Sequence, residues 1–486
     1  MNNSTKSQIQ GMLIQDDSTV RDALRQLNQC ATGLLFVIGN DECMVGIVTD
    51  GDIRRNLLHD ISLEDSISKV MNRDFIFVRE GEISTDVLRR IDKRVKYLPV
   101  LDAKGRITDF YYLESRPNIP VAKTLLAGNE AVYVNECIAT NWVSSQGHFV
   151  RRFEREFAAF CGVSKAVATC NGTAALHLAL AALEVGPGDE VIVPSLTFIA
   201  TANAVRYTGA TPVFVDVCPD TWTIDPVAIA SAINDRTRAV IVVHLYGQPA
   251  HMDEIINLAS KKEIYVIEDA AEAHGAKYKG RPVGGIGHVG CFSFFGNKIL
   301  TTGEGGMLTT DDLNIIRRAR ILRDHGMDPE RKYFHPYLGF NYRMTNLQAA
   351  LGCAQLERVD DILLSKKKIY QWYIEGLKDI SVLEMPPNNE WSESVYWMFS
   401  VILDEEKAQI TRDQLLQALK DRNVEGRPLF YPAHLMPIYN TGQTLPVTEN
   451  LSHRGFSLPS YAGLTKQTVS LICEDIKTIL RSKNRG

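Results

Sequence analysis

Apolar residues along this chain fall into short runs broken by polar, glycine- and proline-bearing stretches, and over the first 115 residues the runs come in two related sets. Each set opens at helical spacing, Val20-Arg-Asp-Ala-Leu-Arg-Gln-Leu27 and Ser84-Thr-Asp-Val-Leu-Arg-Arg-Ile91. Apolar strands follow at Gly33-Leu-Leu-Phe-Val-Ile38 and Tyr97-Leu-Pro-Val-Leu101. Each set then closes on a related phrase, Val45-Gly-Ile-Val-Thr-Asp-Gly-Asp52 and Lys104-Gly-Arg-Ile-Thr-Asp109. A repeat of this kind predicts two copies of one supersecondary unit stacked to bury a shared face.

Past a proline-bearing junction, Glu114-Ser-Arg-Pro-Asn-Ile-Pro120, the pattern changes to strands alternating with helices up to about residue 360. Strands are predicted at Val191-Ile-Val193, Val213-Phe-Val215, Val240-Ile-Val-Val-His244 and Ile264-Tyr-Val-Ile267. The run from Cys170-Asn-Gly-Thr173 reads as a tight turn opening a helix that stops at Gly186-Pro-Gly188. Such alternation predicts an α/β fold around a largely parallel sheet. A smaller α/β segment follows, opening on a long helix from about Gln355 to Leu377. The expected domains are therefore 1–115, 116–360 and 361–486. The junction prolines make a stiff connection through which a change in the first domain could reach the others.

Composition narrows the function. With 486 residues, 45% hydrophobic and 23% charged, the chain can bury large cores. A net charge of −5 gives no basic footprint for nucleic acid. No stretch approaches the roughly 20 apolar residues of a membrane span, and Met1-Asn-Asn-Ser-Thr-Lys6 lacks the apolar run of a secretory signal. The nine cysteines lack paired metal-ligand spacing and read as reduced core thiols. A cytoplasmic protein without a metal site is expected.

The chemistry concentrates in the middle. Glu268-Asp-Ala-Ala-Glu-Ala-His-Gly275 precedes Cys291-Phe-Ser-Phe-Phe-Gly-Asn-Lys298, and Gly303-Glu-Gly-Gly306 follows. Pyridoxal 5'-phosphate needs an amine for its aldehyde, an anion beside its ring nitrogen, a phosphate cradle and a flat group against the ring. Lys298 is the candidate amine, since a lysine in a poorly hydrated pocket near another cation loses its proton readily. Asp269 ends an apolar strand, placing a carboxylate at the sheet edge where α/β folds bind ligands. The helix start at Thr173 and Ala174 offers N–H groups and a dipole end to an anion. The Thr173 and Ser293 hydroxyls add to that cradle, and Phe198 is placed to stack on a ring. Each feature alone is commonplace: lysines after aromatics are ordinarily solvated, Gly-Thr-Ala often merely starts a helix, and Phe198 alone reads as core. Their order along one chain is not commonplace, and it favours the cofactor.

From about Ile119 onward the chain resembles the DegT/DnrJ/EryC1/StrS sugar aminotransferases. The matching stretches include Gly128 to Ile138, Asn141 to Ser145, Asn171-Gly-Thr-Ala-Ala-Leu176, Gly188-Asp-Glu-Val-Ile-Val-Pro194, Glu268 to Gly275, Ser293 to Lys298 and Gly339 to Gln348. The resemblance implies the type I fold of aspartate aminotransferase, with a large domain and a small α/β domain. It also implies a glutamate donor released as 2-oxoglutarate, and a homodimer or larger homo-oligomer with shared active sites. By the same resemblance Glu272 contacts the cofactor's ring hydroxyl, where many relatives carry glutamine. Asn341 would reach the phosphate of the neighbouring subunit's cofactor. Arg343 could meet a carboxylate or phosphate, or form a structural ion pair. Some relatives replace the lysine by histidine and become dehydratases; Lys298 points to transamination.

Within the family, Gly426-Arg-Pro-Leu-Phe-Tyr-Pro-Ala-His-Leu-Met-Pro-Ile-Tyr439 and Trp397-Met-Phe-Ser400 are most similar to the perosamine-forming members, which aminate GDP-linked 4-keto-6-deoxymannose. Arg427 could then meet a diphosphate, and Tyr431 or His434 a sugar hydroxyl, unless this is a proline-rich loop that merely packs. UDP- and dTDP-linked keto sugars are the alternatives. The first 115 residues resemble tandem CBS modules, often sensors of adenine nucleotides. In that family the Thr and Asp of Gly-x-x-Thr-x-x-Asp hold phosphate and ribose; Thr49 and Asp52 match, whereas the second copy carries Tyr111 at the aspartate position. One adenine or guanine nucleotide site near Asp52, or a purely structural module, is expected. A nucleotide-sensing regulatory protein retaining an enzyme scaffold is the rival reading, and intact Lys298, Asp269, Thr173 and Ser293 weigh against it.

Overall fold

The computed structural model describes residues 9–30, 33–59, 61–80, 97–112, 118–440 and 442–483. The chain divides into two compact units, residues 1–116 and 117–486. The helix expected at 84–91 and residues 114–117 of the junction lie outside the described residues.

The first unit holds two three-stranded sheets of one topology. Leu13–Gln15 runs parallel to Leu34–Ile38, which pairs antiparallel with Met44–Thr49. Val78–Arg79 runs parallel to Tyr97–Leu101, which pairs antiparallel with Ile107–Tyr112. Successive residues of Leu34–Ile38 serve different cores, which is why the whole run is apolar. Leu35 and Val37 pack with Val20, Ala23 and Ile53, while Leu34 and Phe36 pack with Leu101, Ile107 and Phe110 of the second copy. The shared face expected from the repeat is that second cluster.

The register corrects one detail of the sequence reading. A bulge interrupts each hairpin at the same place, between Val37 and Ile38 and between Val100 and Leu101. Leu34 faces Thr49 and Tyr97 faces Tyr112, so Tyr112 is the counterpart of Thr49. Thr108, aligned with Thr49 by the similar lettering, is skipped in the pairing as the bulge residue, as Val45 is in the first copy. The same offset takes the counterpart of Asp52 from Tyr111 to Ser115, outside the described residues.

The second unit is built on a seven-stranded sheet. Its spatial order is Lys165–Thr169, Gly306–Thr310, Val289–Ser293, Tyr265–Asp269, Thr237–Val243, Glu190–Pro194 and Thr211–Val215. Gly306–Thr310 runs antiparallel to both neighbours, and the remaining pairs are parallel. Both faces are covered, so the central strands are apolar at successive positions. In Thr237–Val243, Val240 and Val242 enter one core while Ala239 and Ile241 enter the other.

A third core belongs to the C-terminal part, where the helices Val359–Leu377, Arg412–Lys420 and Lys466–Lys483 pack with strands that include Phe399–Leu403 and Gly455–Leu458. Ile119 joins this core, and its N–H and carbonyl bond Asn423 O and Glu425 N at 2.8 and 2.9 Å. The long helix expected from Gln355 proves to be two. Gln355 ends Asn346–Leu356, which opens on a Thr345–Gln348 capping box, and the chain restarts at Val359.

Candidate active site

The parallel strands deliver Val243, Asp269 and Ser293 to the carboxyl end of the sheet, and a cleft of about 480 Å³ opens there. Its lining includes Thr173, Phe198, Asp269, Glu272, Ser293 and Lys298. These six come from four separate segments of the chain, brought together by the α/β winding.

Alternation along Tyr265–Asp269 sends the acidic pair apart. Glu268 turns away from the cleft, fully buried, and accepts hydrogen bonds from Gly284, Ile286 and Gly287 N–H at 2.6–2.7 Å and contacts His244 Nε2 at 2.9 Å. It pins the loop that leads into Val289–Ser293. Asp269 turns into the cleft, where its Oδ2 accepts from the Thr201 hydroxyl at 2.8 Å and its Oδ1 from Ala271 N–H at 3.2 Å. Burial pushes the Asp269 carboxyl up, and the Thr201 hydrogen bond opposes that shift.

Lys298 lies beside a second buried carboxylate. Its Nζ is 3.3 Å from Glu272 Oε1 and 3.9 Å from the centroid of the Trp397 ring. Glu272 Oε2 accepts the Tyr246 N–H at 2.8 Å. Burial raises the Glu272 carboxyl, with the Lys298 charge pulling the other way. Lys298 Nζ thus lies between a carboxylate and the face of an indole. Trp397, Tyr246 and Phe430 form a stacked series, with centroids 6.2 and 5.4 Å apart, and Phe198 meets Phe430 at 5.8 Å.

The opposite wall is the start of helix Gly172–Ala182. Asn171 caps it by accepting the Ala174 N–H at 2.8 Å. That bond corrects the assignment of Ala174, whose donor is already used and which does not line the cleft. Gly172 and Thr173 present the helix end, and Ser293 stands against Gly172. A helix N-terminus with two hydroxyls, a buried carboxylate opposite and a lysine between them fits pyridoxal 5'-phosphate.

The remaining expected residues divide. Arg427 lines the cleft and is paired with Glu425 at 3.1 Å. Tyr431 is exposed outside the lining. His434 is corrected: it is buried, with Nδ1 2.6 Å from Ser195 Oγ and Nε2 3.2 Å from Glu449 Oε1, so it anchors its loop instead of facing a sugar. Asn341 is outside the lining and accepts from Arg343 Nε at 3.0 Å, while Arg343 forms an ion pair with Asp324. Thr201, Tyr246 and the role of the Trp397 ring are not indicated by any local motif. Tyr246 sits at φ 52° beside Gly247.

Comparison with known proteins gives the same picture. CBS domains match residues 12–59 and 67–110. GDP-perosamine synthase of Caulobacter vibrioides is 48% identical over 367 residues, covering 75% of this chain and 99% of that protein. GDP-perosamine synthase of Escherichia coli O157:H7 is 44% identical over 366 residues, covering 75% and 99%. Among solved structures, the S. venezuelae protein DesV, in complex with a ketimine intermediate, superposes with a TM-score of 0.69 at 34% identity, covering 72% of this chain and 94% of that one. The family pattern itself runs from residue 125 to 477 and contains every cleft residue named above. With the family pattern matched over residues 125–477 and relatives of 44–48% identity covered almost end to end, the chain belongs to the DegT/DnrJ/EryC1/StrS aminotransferase family.

Proposed function

We propose that this protein transfers an amino group from glutamate to GDP-4-keto-6-deoxymannose, giving GDP-perosamine and 2-oxoglutarate, in the synthesis of O-antigen or another surface polysaccharide. The observation that carries the reading is Lys298, whose ammonium is presented in a cleft with Asp269 and Glu272 in a chain that is 48% identical to a GDP-perosamine synthase. Pyridoxal 5'-phosphate would be held by Thr173 and Ser293 at its phosphate, Asp269 at its ring nitrogen, Glu272 at its hydroxyl and Phe198 against its ring. When bound, it supplies an electron sink for the carbanion at the donor's α-carbon. Lys298 Nζ removes the α-proton of glutamate and later delivers a proton to the carbon that becomes the amine-bearing centre of the sugar. Asp269 keeps its negative charge against the ring nitrogen, and the Thr201 hydroxyl holds that carboxylate in place. Arg427, at the cleft, is suited to the sugar's diphosphate.

Asn341 belongs, in this reading, to the active site of a second subunit, so the working form is a homodimer or larger. Nucleotide sugars and glutamate place the reaction in the cytoplasm; no helix among the described residues is long and apolar enough to cross a membrane. The CBS pair would take an adenine or guanine nucleotide through Thr49 and Asp52 and adjust turnover.

The test is spectroscopic. Protein loaded with pyridoxal 5'-phosphate should absorb in the visible through its Lys298 linkage, glutamate should bleach the band, and the GDP-linked keto sugar should restore it. Restoration by a UDP- or dTDP-linked sugar instead would move the substrate. Absence of the band, or its persistence in Lys298→Ala, would leave the regulatory reading.

A further inference from the structure

Lys366 is a buried lysine that the reaction does not account for. It lies on the Val359–Leu377 helix at 5% exposure, and among the described residues it pairs with no carboxylate. Its Nζ donates to two backbone carbonyls, Trp397 O at 2.7 Å and Ser460 O. Burying an ammonium with only carbonyl partners is costly, and burial draws its pKa down to about 7.

What Lys366 grips is the indole over the catalytic amine. Trp397 is fixed at three points: its N–H donates to Tyr246 O at 3.0 Å, its carbonyl accepts from Lys366, and its Nε1–H donates to Asn297 O at 2.7 Å. Tyr246 N–H in turn holds Glu272, and Glu272 holds Lys298. Contacts therefore close a ring from Lys298 through Glu272, Tyr246 and Trp397 back to Lys298. Lys366 attaches the Val359–Leu377 helix to that ring at its Trp397 carbonyl. Lys366 and Lys298 also line one small cavity of about 40 Å³, whose other titratable lining residues are Lys123 and Tyr461 and which no carboxylate lines.

We propose that Lys366 is a positioning residue for the transamination: by holding the Trp397 carbonyl it fixes the indole against Lys298 and so sets the reach of the catalytic amine. The proposal rests on Lys298 being that amine. A charged donor holds a carbonyl about twice as strongly as a neutral one, so the grip loosens as Lys366 loses its proton. Lys298 would then be confined more tightly on the acid side of neutrality than on the alkaline side.

The experiment compares wild type, Lys366→Met, Trp397→Phe and the double variant as holoenzymes across pH about 6 to 9. The expected result for Lys366→Met is a kcat about tenfold lower, the scale of a small misplacement of a reacting group, with KM for glutamate nearly unchanged. The pH course of the visible cofactor band should shift in both single variants, and the double should be no worse than the more severe single. A merely structural lysine would lower the melting temperature and leave band and kcat alone; that result, or additive effects in the double variant, overturns the proposal. Should Lys366→Met fail to fold, Lys366→Gln, which keeps a donor for the Trp397 carbonyl without the charge, decides: the band's pH course must move in it and stay put in the control Trp391→Phe, whose ring packs on His251 and Tyr278. Loss of the parent reading would look different, since Lys298→Ala would then keep its band.

Discussion

Gly172 and Ser293 approach so closely that a Cβ placed on Gly172 would stand 2.7 Å from the Ser293 Cβ. The helix start and the strand end proposed to cradle the phosphate are in contact only because one of them has no side chain. Gly172→Ala must push Ser293 outward or tilt the helix end. The fold should survive, because the clash sits at the wall of a cleft. Affinity for pyridoxal 5'-phosphate should fall by about tenfold or more, the cost of roughly one good hydrogen bond to a charged group. Titrating the cofactor-free protein and following the visible band measures this. Thr173→Ala, which removes a hydroxyl without a clash, should have the milder effect.

Thr201 donates to Asp269 Oδ2 at 2.8 Å, within a buried pair of threonines that includes Thr197 at 2.9 Å. Burial already raises the Asp269 carboxyl, and the Thr201 hydroxyl is the first influence opposing it. Thr201→Val removes that opposition, so the carboxylate should protonate at higher pH than in wild type. The proposed reaction needs the ionised form beside the ring nitrogen. The acid limb of the kcat profile should therefore move upward in pH, with about 1 kcal/mol lost in stability. An unmoved acid limb would show that Asp269 does not govern it.

Glu268 should control stability rather than chemistry. Burial opposes its ionisation, but His244 and the N–H groups of the 284–287 loop outweigh that, and its carboxyl lies below the ordinary value. Because the unfolded carboxyl binds its proton more readily, this contribution is complete above the ordinary carboxylate range near 4.5. It is lost as pH falls through the lower folded value. Glu268→Gln sets an amide among donors and leaves buried N–H groups short of an acceptor, at a cost of about 3 kcal/mol. Calorimetric melting at pH near 7 should show a large drop that narrows toward acid, while any surviving enzyme keeps its KM for glutamate.

Much of the site was legible because its chemistry is local in sequence. Thr173 opens a recognisable helix, Asp269 ends an apolar strand, and Lys298 follows Ser293 at a short fixed distance. Thr201, Tyr246 and the role of the Trp397 ring were hidden because they meet Asp269, Glu272 and Lys298 only after distant segments come together. His434 misled for the opposite reason. A polar residue in a proline-rich loop reads as exposed, yet Ser195 and Glu449 satisfy both its nitrogens in the interior. In the first unit the repeat was plain, but Thr108 was matched to Thr49 by spelling, whereas the paired bulges equate Thr49 with Tyr112.

The helix Asp50–Leu57 poses the sharpest question about the CBS pair. Thr49 Oγ1 accepts the Asp52 N–H at 3.1 Å, and Asp52 Oδ2 accepts from the Thr49 hydroxyl and N–H at 2.6 and 3.0 Å. Asp52 Oδ1 meanwhile pairs with Arg55 at 2.6 Å. Both carboxylate oxygens are engaged, Oδ2 in the helix cap and Oδ1 with Arg55, so a ribose hydroxyl must share or displace these partners. Asp52→Ala removes cap and ligand together and should lower the melting temperature of the first unit, a loss of about 1 kcal/mol. Asp52→Asn keeps an acceptor for the Thr49 N–H but gives up the charge. It should leave melting nearly intact and still weaken an adenine nucleotide about tenfold, the scale of a charged hydrogen bond. Calorimetric titration of ATP and GTP into the full chain separates the two effects. Wild-type affinity in Asp52→Asn would mean that Asp52 serves the helix alone, and binding unchanged in Asp52→Ala as well would move the nucleotide away from this helix altogether.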